Sequence, residues 1–208
     1  MDNARIETLT AAVIQKLKEG RFIEIEASGR HVHLSRQAVD LLFGEGYRLT
    51  RQAELSQPGQ FLCKEKVTLL GPRAVIANVA VLGPERPAVQ VEISKTDARE
   101  LGVDAVIRES GDIKGAPGIF IISPTAVIRI DEGVIVAKRH VHVTPEYALR
   151  NCLTDKEIIK VEVYGSRKVV FDDVVVRVSP DFRNYMHIDY DEANAFDFKK
   201  GGIGRIVP

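Results

Sequence analysis

The sequence predicts a mainly β protein: two related β-barrel-like subdomains with short capping helices, preceded by an amphipathic N-terminal helix. Two observations lead to this. Short runs with strand character recur along the chain, separated by turn residues, which argues for barrels rather than a βαβ sheet. One order of elements also occurs twice: strand, an Arg-His-Val-His segment, a hydroxyl residue suited to capping, a short helix, then several strands. The second copy lies 109 residues after the first, counted from His31 to His140, too long for a solenoid repeat and suited to two subdomains. The expected division is residues 1–20 for the helix, 21–130 for the first subdomain and 131–208 for the second.

Composition narrows the function classes. At 208 residues the chain is one large domain or two small ones, and its formal net charge is zero with no block of like charges. It therefore offers no basic field for nucleic acid. No apolar run reaches the roughly 18 residues needed to cross a bilayer, and the N-terminus lacks the pattern of a secretory signal. Cys63 and Cys152 belong to no CxxC motif and read as buried thiols, so a reduced, cytoplasmic protein is expected.

Taken in order, residues 5–18 form a helix, with Ile6, Leu9, Ala12, Val13 and Leu17 at helical spacing and Gly20 where a C-cap belongs. It packs on the body of the protein or docks on a partner; with no flexible linker behind it, packing is favoured. Residues 21–27 alternate as a strand and run into the first Arg30-His31-Val32-His33. Ser35 caps a helix over 36–43, ended by Gly44. Strands at 60–70 and 74–82 turn at Gly71-Pro72, and a third follows at 88–93. Ser94 and Asp97 make a capping box for a helix ending at Gly102. Strands at 119–122, 126–130 and 134–137 precede the second Arg139-His140-Val141-His142. Thr144 then caps a helix over 145–150 with Pro145 at its first position. Strands follow at 158–164, 167–171 and 173–178, and a short helix at 191–196. The Gly-rich segments 110–118 and 201–204 match no phosphate-binding loop and read as structural.

The histidines carry the chemistry. In a strand the two His of His-x-His share one face, about 6.5–7 Å apart, near enough to turn toward one cation. Four of the five His sit in two copies with the same Arg and hydroxyl flanks, and the fifth, His187, lies in Met186-His187-Ile188-Asp189. One such pair alone is as well explained as a surface strand; two matched copies point to metal. Glu92, alternating with Val89, Val91 and Ile93, is the carboxylate candidate, or else a charge on a solvated face. Two ligand sets fit the count: His31, His33 and Glu92, and His140, His142 and His187. Three protein ligands leave a zinc ion a position for water or substrate. Arg86, in the turn Gly83-Pro84-Glu85-Arg86-Pro87, offers a guanidinium suited to phosphate or carboxylate.

Several segments together resemble the propanediol-utilisation type of phosphotransacylase, the phosphate propanoyltransferase of bacterial microcompartments. They are Ser28-Gly-Arg-His-Val-His-Leu-Ser35, Leu82-Gly-Pro-Glu-Arg86, Gln90-Val-Glu-Ile-Ser94, Ser110-Gly-Asp-Ile-Lys-Gly115, Ala137-Lys-Arg-His-Val-His142, Arg177-Val-Ser-Pro-Asp-Phe182 and His187-Ile-Asp-Tyr-Asp-Glu-Ala-Asn194. The resemblance implies barrel-like subdomains around a dinuclear zinc site, with two ions held by the six residues above. It implies conversion of a short-chain acyl-CoA (propanoyl-CoA, or acetyl-CoA) and phosphate to acyl phosphate and CoA. It places phosphate on Arg86, CoA on Ser28 and Asn194, and the CoA sulfur at the first ligand set. Pro87 and Val89 depart from the Lys and Thr usual in the family, which removes a phosphate contact from a following Lys. The N-terminal helix is similar to the encapsulation helices of microcompartment enzymes in being amphipathic. That makes a shell or cargo protein a partner to test, and the microcompartment lumen a location to test. A homo-oligomer is expected.

Two other classes use the same residues. A dinuclear metallohydrolase would release free acid without phosphate, and a metal-stabilised scaffold would hold its ions closed and without a cleft.

Overall fold

A computed structural model describes residues 3–207. They fall into two compact units. One comprises the residues through Glu26, Arg139–His187 and those from Ala193 on; the other comprises Ala27–Lys138 with Ile188–Glu192.

Helix α1 (Asn3–Glu19) is followed by β1 (Phe22–Ser28). The second unit carries β2 (His31–His33), α2 (Arg36–Phe43), β3 (Arg51–Glu54), β4 (Phe61–Leu70), β5 (Val75–Gly83), β6 (Gln90–Glu92), α3 (Lys95–Leu101), β7 (Val106–Arg108), β8 (Ile119–Ile122), β9 (Val127–Ile130) and β10 (Val134–Ala137). Its strands make a nine-stranded sheet in the order β7-β10-β6-β2-β5-β4-β8-β9, with β3 paired to β4. Val32, Leu34, Cys63, Val81, Val91 and Leu101 are among its buried core residues. The Ser94–Asp97 capping box forms as read, and Gly102 ends α3 at φ 74°, a left-handed position that glycine takes without strain.

The first unit adds β11 (His140–Val143), α4 (Pro145–Arg150), β12 (Ile158–Val163), β13 (Val169–Val178), β14 (Tyr185–Asp189), α5 (Tyr190–Ala195, half of it in the other unit) and β15 (Ile203–Val207). Six strands close a barrel in the order β1-β14-β11-β13-β12-β15. Closure comes from β15 pairing back on β1, with Phe22 opposite Arg205. Along β11 the apolar residues face the core: Val141 lies between Met186 and Val176, all three fully buried. The period of two then sets His140 and His142 on the opposite face.

Both HxH segments are thus strands, each followed by a capped helix. Ser35 accepts from the Ala38 N–H, and Thr144 from the Tyr147 N–H. The molecule is mainly β, and no described helix is long and apolar enough to cross a membrane.

Several expectations need correction. Residues 167–171 and 173–178 belong to one strand, β13, which continues through Asp173 at φ 57°. The segment 201–204 is not all loop, because Ile203 and Gly204 open β15. Strands β3, β7 and β14 also went unread. Cys63 is buried, but Cys152 is exposed, in the turn after α4 at φ 52°. The described side chains of α1, residues 5–13 and 15, are exposed, Ile6, Leu9 and Val13 among them.

Candidate metal centres

The sheet unit gathers His31, His33 and Glu92. Strand β2 lies between β5 and β6, and the antiparallel register on β6 puts His31 directly opposite Glu92. One ligand atom from each residue lies within 4.8 Å of the others. His31 Nε2 is 3.5 Å from Glu92 Oε2, and His33 Nε2 is 3.9 Å from Glu92 Oε1. All three residues are buried, with at most 9% of their surface exposed. His31 Nδ1 lies 2.8 Å from the Gly29 carbonyl, which fixes that nitrogen as the donor and leaves the Nε2 lone pair facing Glu92.

The electrostatics are those of a site awaiting positive charge. Burial drives the His33 imidazole down to about 3, helped by the positive charges of His31 and Arg86, so it stays neutral and keeps its lone pair. Burial lowers His31 too, but the adjacent Glu92 carboxylate outweighs it and leaves its pKa above the usual value. Burial would raise Glu92; the imidazoles of His31 and His33 and the Ser110 hydroxyl overcome it and hold the carboxyl well below its ordinary range.

Arg86 stands beside this set. Its backbone N–H donates to the Leu34 carbonyl at 2.9 Å and its Nη1 donates to Ser110 Oγ at 3.1 Å. Gly83 begins the turn that carries it, and a Cβ there would sit 2.2 Å from the Phe61 ring, which only glycine avoids. Ser110 in turn donates to Glu92 Oε1 at 2.9 Å. The loop that begins at Ser110 is therefore part of the site rather than only a structural connection.

The barrel unit gathers His140, His142 and His187, again within 4.8 Å by ligand atoms. Antiparallel pairing of β11 with β14 sets His140 opposite His187. Ring centroids are 4.6 Å apart for His140 and His142, 5.2 Å for His140 and His187, and 4.9 Å for His142 and His187. His142 Nδ1 is buried with no hydrogen-bond partner, a polar atom whose burial is costly unless something coordinates it. Burial, with the positive charges of His140, His187 and Arg177, pushes the His142 imidazole down to about 2. His187 Nδ1 lies 3.7 Å from Glu26 Oε2. The Phe182 ring packs on His142 with centroids 4.1 Å apart.

Each set passes the chemical test for a divalent cation. Burial keeps His33 and His142 neutral with a lone pair to donate, and the donors, two N with one O and three N, are those zinc takes.

A family model described as phosphate propanoyltransferase matches residues 24–199. The phosphate propanoyltransferase of Listeria monocytogenes serovar 1/2a is 53% identical over 207 residues, covering 100% of this chain and 97% of its own. That of Enterococcus faecalis is 55% identical, covering 93% and 92%. That of Thermotoga maritima is 50% identical, covering 94% and 93%.

The chain belongs to the phosphate propanoyltransferase family. It is an enzyme of the acyltransferase class.

Within this phosphate propanoyltransferase fold the remaining candidates lie on β1 and α5. Ser28 is half-buried at the end of β1 in the sheet unit, and Asn194 is exposed on α5 in the barrel unit. Several residues around the clusters escaped the sequence reading. Gln90 is fully buried and donates to Glu92. Its place two residues before Glu92, on the same strand face, was the signal available. Arg177 pairs with His142 across parallel strands. Ser110 had no such signal, because a loop residue's contact cannot be read from spacing.

Proposed function

We propose that the chain interconverts a short-chain acyl-CoA (propanoyl-CoA, or acetyl-CoA) and phosphate with acyl phosphate and CoA. Two zinc ions would serve this one reaction, one held by His31, His33 and Glu92 and one by His140, His142 and His187. The observation that carries the reading is that each unit of a phosphate propanoyltransferase-family chain assembles a three-ligand cluster at the same strand register. Bound zinc would supply Lewis acidity for an acyl oxygen and favour the ionised form of a thiol.

The chain's own residues hold the reactants. Arg86, hydrogen-bonded to Ser110, brings a planar guanidinium suited to phosphate oxygens. Ser28 and Asn194 contact CoA. Held in line, a phosphate oxygen bonds to the thioester carbon as the C–S bond breaks and the sulfur leaves with CoA, an advantage of proximity and orientation. No Ser-His-Asp order supplies an acyl-enzyme route, so attack by phosphate is direct. The exposed stripe of Ile6, Leu9 and Val13 supports α1 as a docking helix for a microcompartment shell or cargo protein; residues 1–20 fused to a fluorescent protein should then co-localise with the compartment.

The deciding experiment measures CoA release from propanoyl-CoA with and without phosphate, in zinc-replete and chelated protein. Release that needs both phosphate and metal, with acyl phosphate as product, is expected. Release of free acid without phosphate would make the chain a metallohydrolase instead.

A further inference from the structure

Glu92 sits in a hydrogen-bond network whose every direction is determined. Gln90, 2% exposed, precedes it by two residues on the same face of β6. Gln90 Nε2 donates to Glu92 Oε1 at 2.5 Å and to Ser110 Oγ at 2.9 Å. Its Oε1 accepts from the Gly111 N–H at 2.8 Å, which fixes the amide's orientation. Ser110 gives its one hydroxyl proton to Glu92 Oε1 at 2.9 Å, and its lone pairs accept from Gln90 and from Arg86 Nη1. A hydroxyl has one hydrogen and two lone pairs, and a primary amide has two hydrogens, so the hydroxyl and both amide hydrogens are used. In a buried setting such a network holds as a unit or not at all, because a half-made one strands polar atoms.

From this geometry we propose that Gln90 is a positioning residue for the cation site of the sheet unit. Together with Ser110 it saturates Glu92 Oε1. Glu92 is left with one oxygen to offer a divalent cation: Oε2, the one 3.5 Å from His31 Nε2. A carboxylate whose second oxygen is already bonded twice cannot swing to grip the ion with both. The same hydroxyl ties Arg86 to that carboxylate, so the guanidinium and the cation-facing oxygen keep a fixed relation. The inference rests on the proposal that this unit binds a divalent cation, but not on acyl transfer.

The test is metal binding by the full chain. Wild type, Gln90→Met, Ser110→Ala and Ser110→Thr are loaded with Co²⁺ and titrated with a chelator, and His31→Ala identifies the ion that belongs to the sheet unit. Gln90→Met keeps the side chain's length and loses its donors. It should weaken that one ion by roughly 10–100-fold, the usual scale for groups that orient a ligand, and leave the barrel unit's ion unchanged. The cobalt absorption of the sheet-unit site should shift as Glu92 gains freedom to bind through both oxygens. Ser110→Ala should move both readouts the same way, and Ser110→Thr, which keeps the hydroxyl, should restore them. Unchanged affinity and spectrum in both Gln90→Met and Ser110→Ala would overturn the assignment. If Gln90→Met does not fold, Ser110→Ala decides alone, since it removes one of the two donors to Oε1 from a loop. If His31→Ala costs no ion, the cation reading itself falls, and this inference with it.

Discussion

The two His-x-His strands are built alike, and two of the differences in their neighbours bear on charge. Each has a parallel neighbour on one side and an antiparallel neighbour on the other: β5 and β6 for β2, β13 and β14 for β11. In each the antiparallel neighbour delivers the third ligand opposite the first His, and in each the middle valine is fully buried. Opposite the first His stands Glu92 in one unit and His187 in the other. On the parallel side, the second His meets Leu82 in one and Arg177 in the other. The sheet unit thus offers a carboxylate as a ligand, while the barrel unit offers three imidazoles, with Arg177 paired to His142 and Glu26 3.7 Å from His187. A dication would have one charge answered by a ligand, Glu92, in the first set and none by a ligand in the second. On the proposed reading, a cation in the first set would have its net charge lowered by a ligand, and one in the second would keep more of it for an anion.

The strongest way to break this comparison is to remove a ligand from each side. His33→Ala and His142→Ala should each lose one of two bound ions and about three orders of magnitude in turnover, as expected when a principal electrostatic contributor is lost. The binding defects should diverge in calorimetric titrations: CoA affinity should fall mainly in His31→Ala and His33→Ala, phosphate affinity mainly in His140→Ala and His142→Ala. Equal losses of both ligands in all four would erase the division of labour. Arg86→Ala is expected to lower kcat/KM for phosphate by about 2–4 kcal/mol in transition-state terms and to spare CoA affinity. Phosphate kinetics left unchanged would make Arg86 structural.

A smaller effect tests the barrel without touching its histidines. Glu162 on β12 is bonded by Lys168, by the Tyr164 hydroxyl at 2.8 Å and by Arg205 at 2.8 Å. These contacts, Lys168 first, hold its carboxyl down at about 2. A depressed carboxyl stabilises the fold above the ordinary value of 4.5 and loses that contribution as pH falls toward 2. Glu162→Gln should therefore unfold at lower temperature than wild type at pH 7, and the gap should close on acidification from 4.5 toward 2. A gap that stays constant with pH would mean the contacts act by shape alone. The smallest effect contrasts the thiols. Burial pushes the Cys63 thiol up to about 11, whereas Cys152 is exposed. Native protein should take up one equivalent of an alkylating reagent, at Cys152, and a second only on unfolding.

Legibility followed the range of the forces involved. Caps at Ser35, Ser94 and Thr144 were readable because a cap is satisfied within three residues of itself. The metal-type clusters were readable as groupings because His-x-His and strand alternation are local. What the alternation could not supply was the partner strand: β14 and β15 are short, flanked by Gly, Asp and Asn, and form because the barrel needs their hydrogen bonds. Strand β13 runs through Asp172 because one positive φ, at Asp173, absorbs the irregularity, a long-range adjustment that alternation does not reveal. Ser110 was missed because it reaches Glu92 across 18 residues of chain.

The closure of the barrel has a consequence for synthesis. Strand β1 is among the first elements translated, yet its partner β15 emerges about as late as any described segment, with Ile23 waiting for Gly204. Every strand of the nine-stranded sheet, β2 through β10, is made in that interval. Domains fold as units during translation, and a long loop must be closed before a distant pairing yields anything. The sheet can organise while the ribosome is still at work, whereas β1 spends that time as an unpaired edge in need of shielding. A released chain that stopped before residue 203 would have every ligand of both clusters, yet a barrel with a gap in its wall.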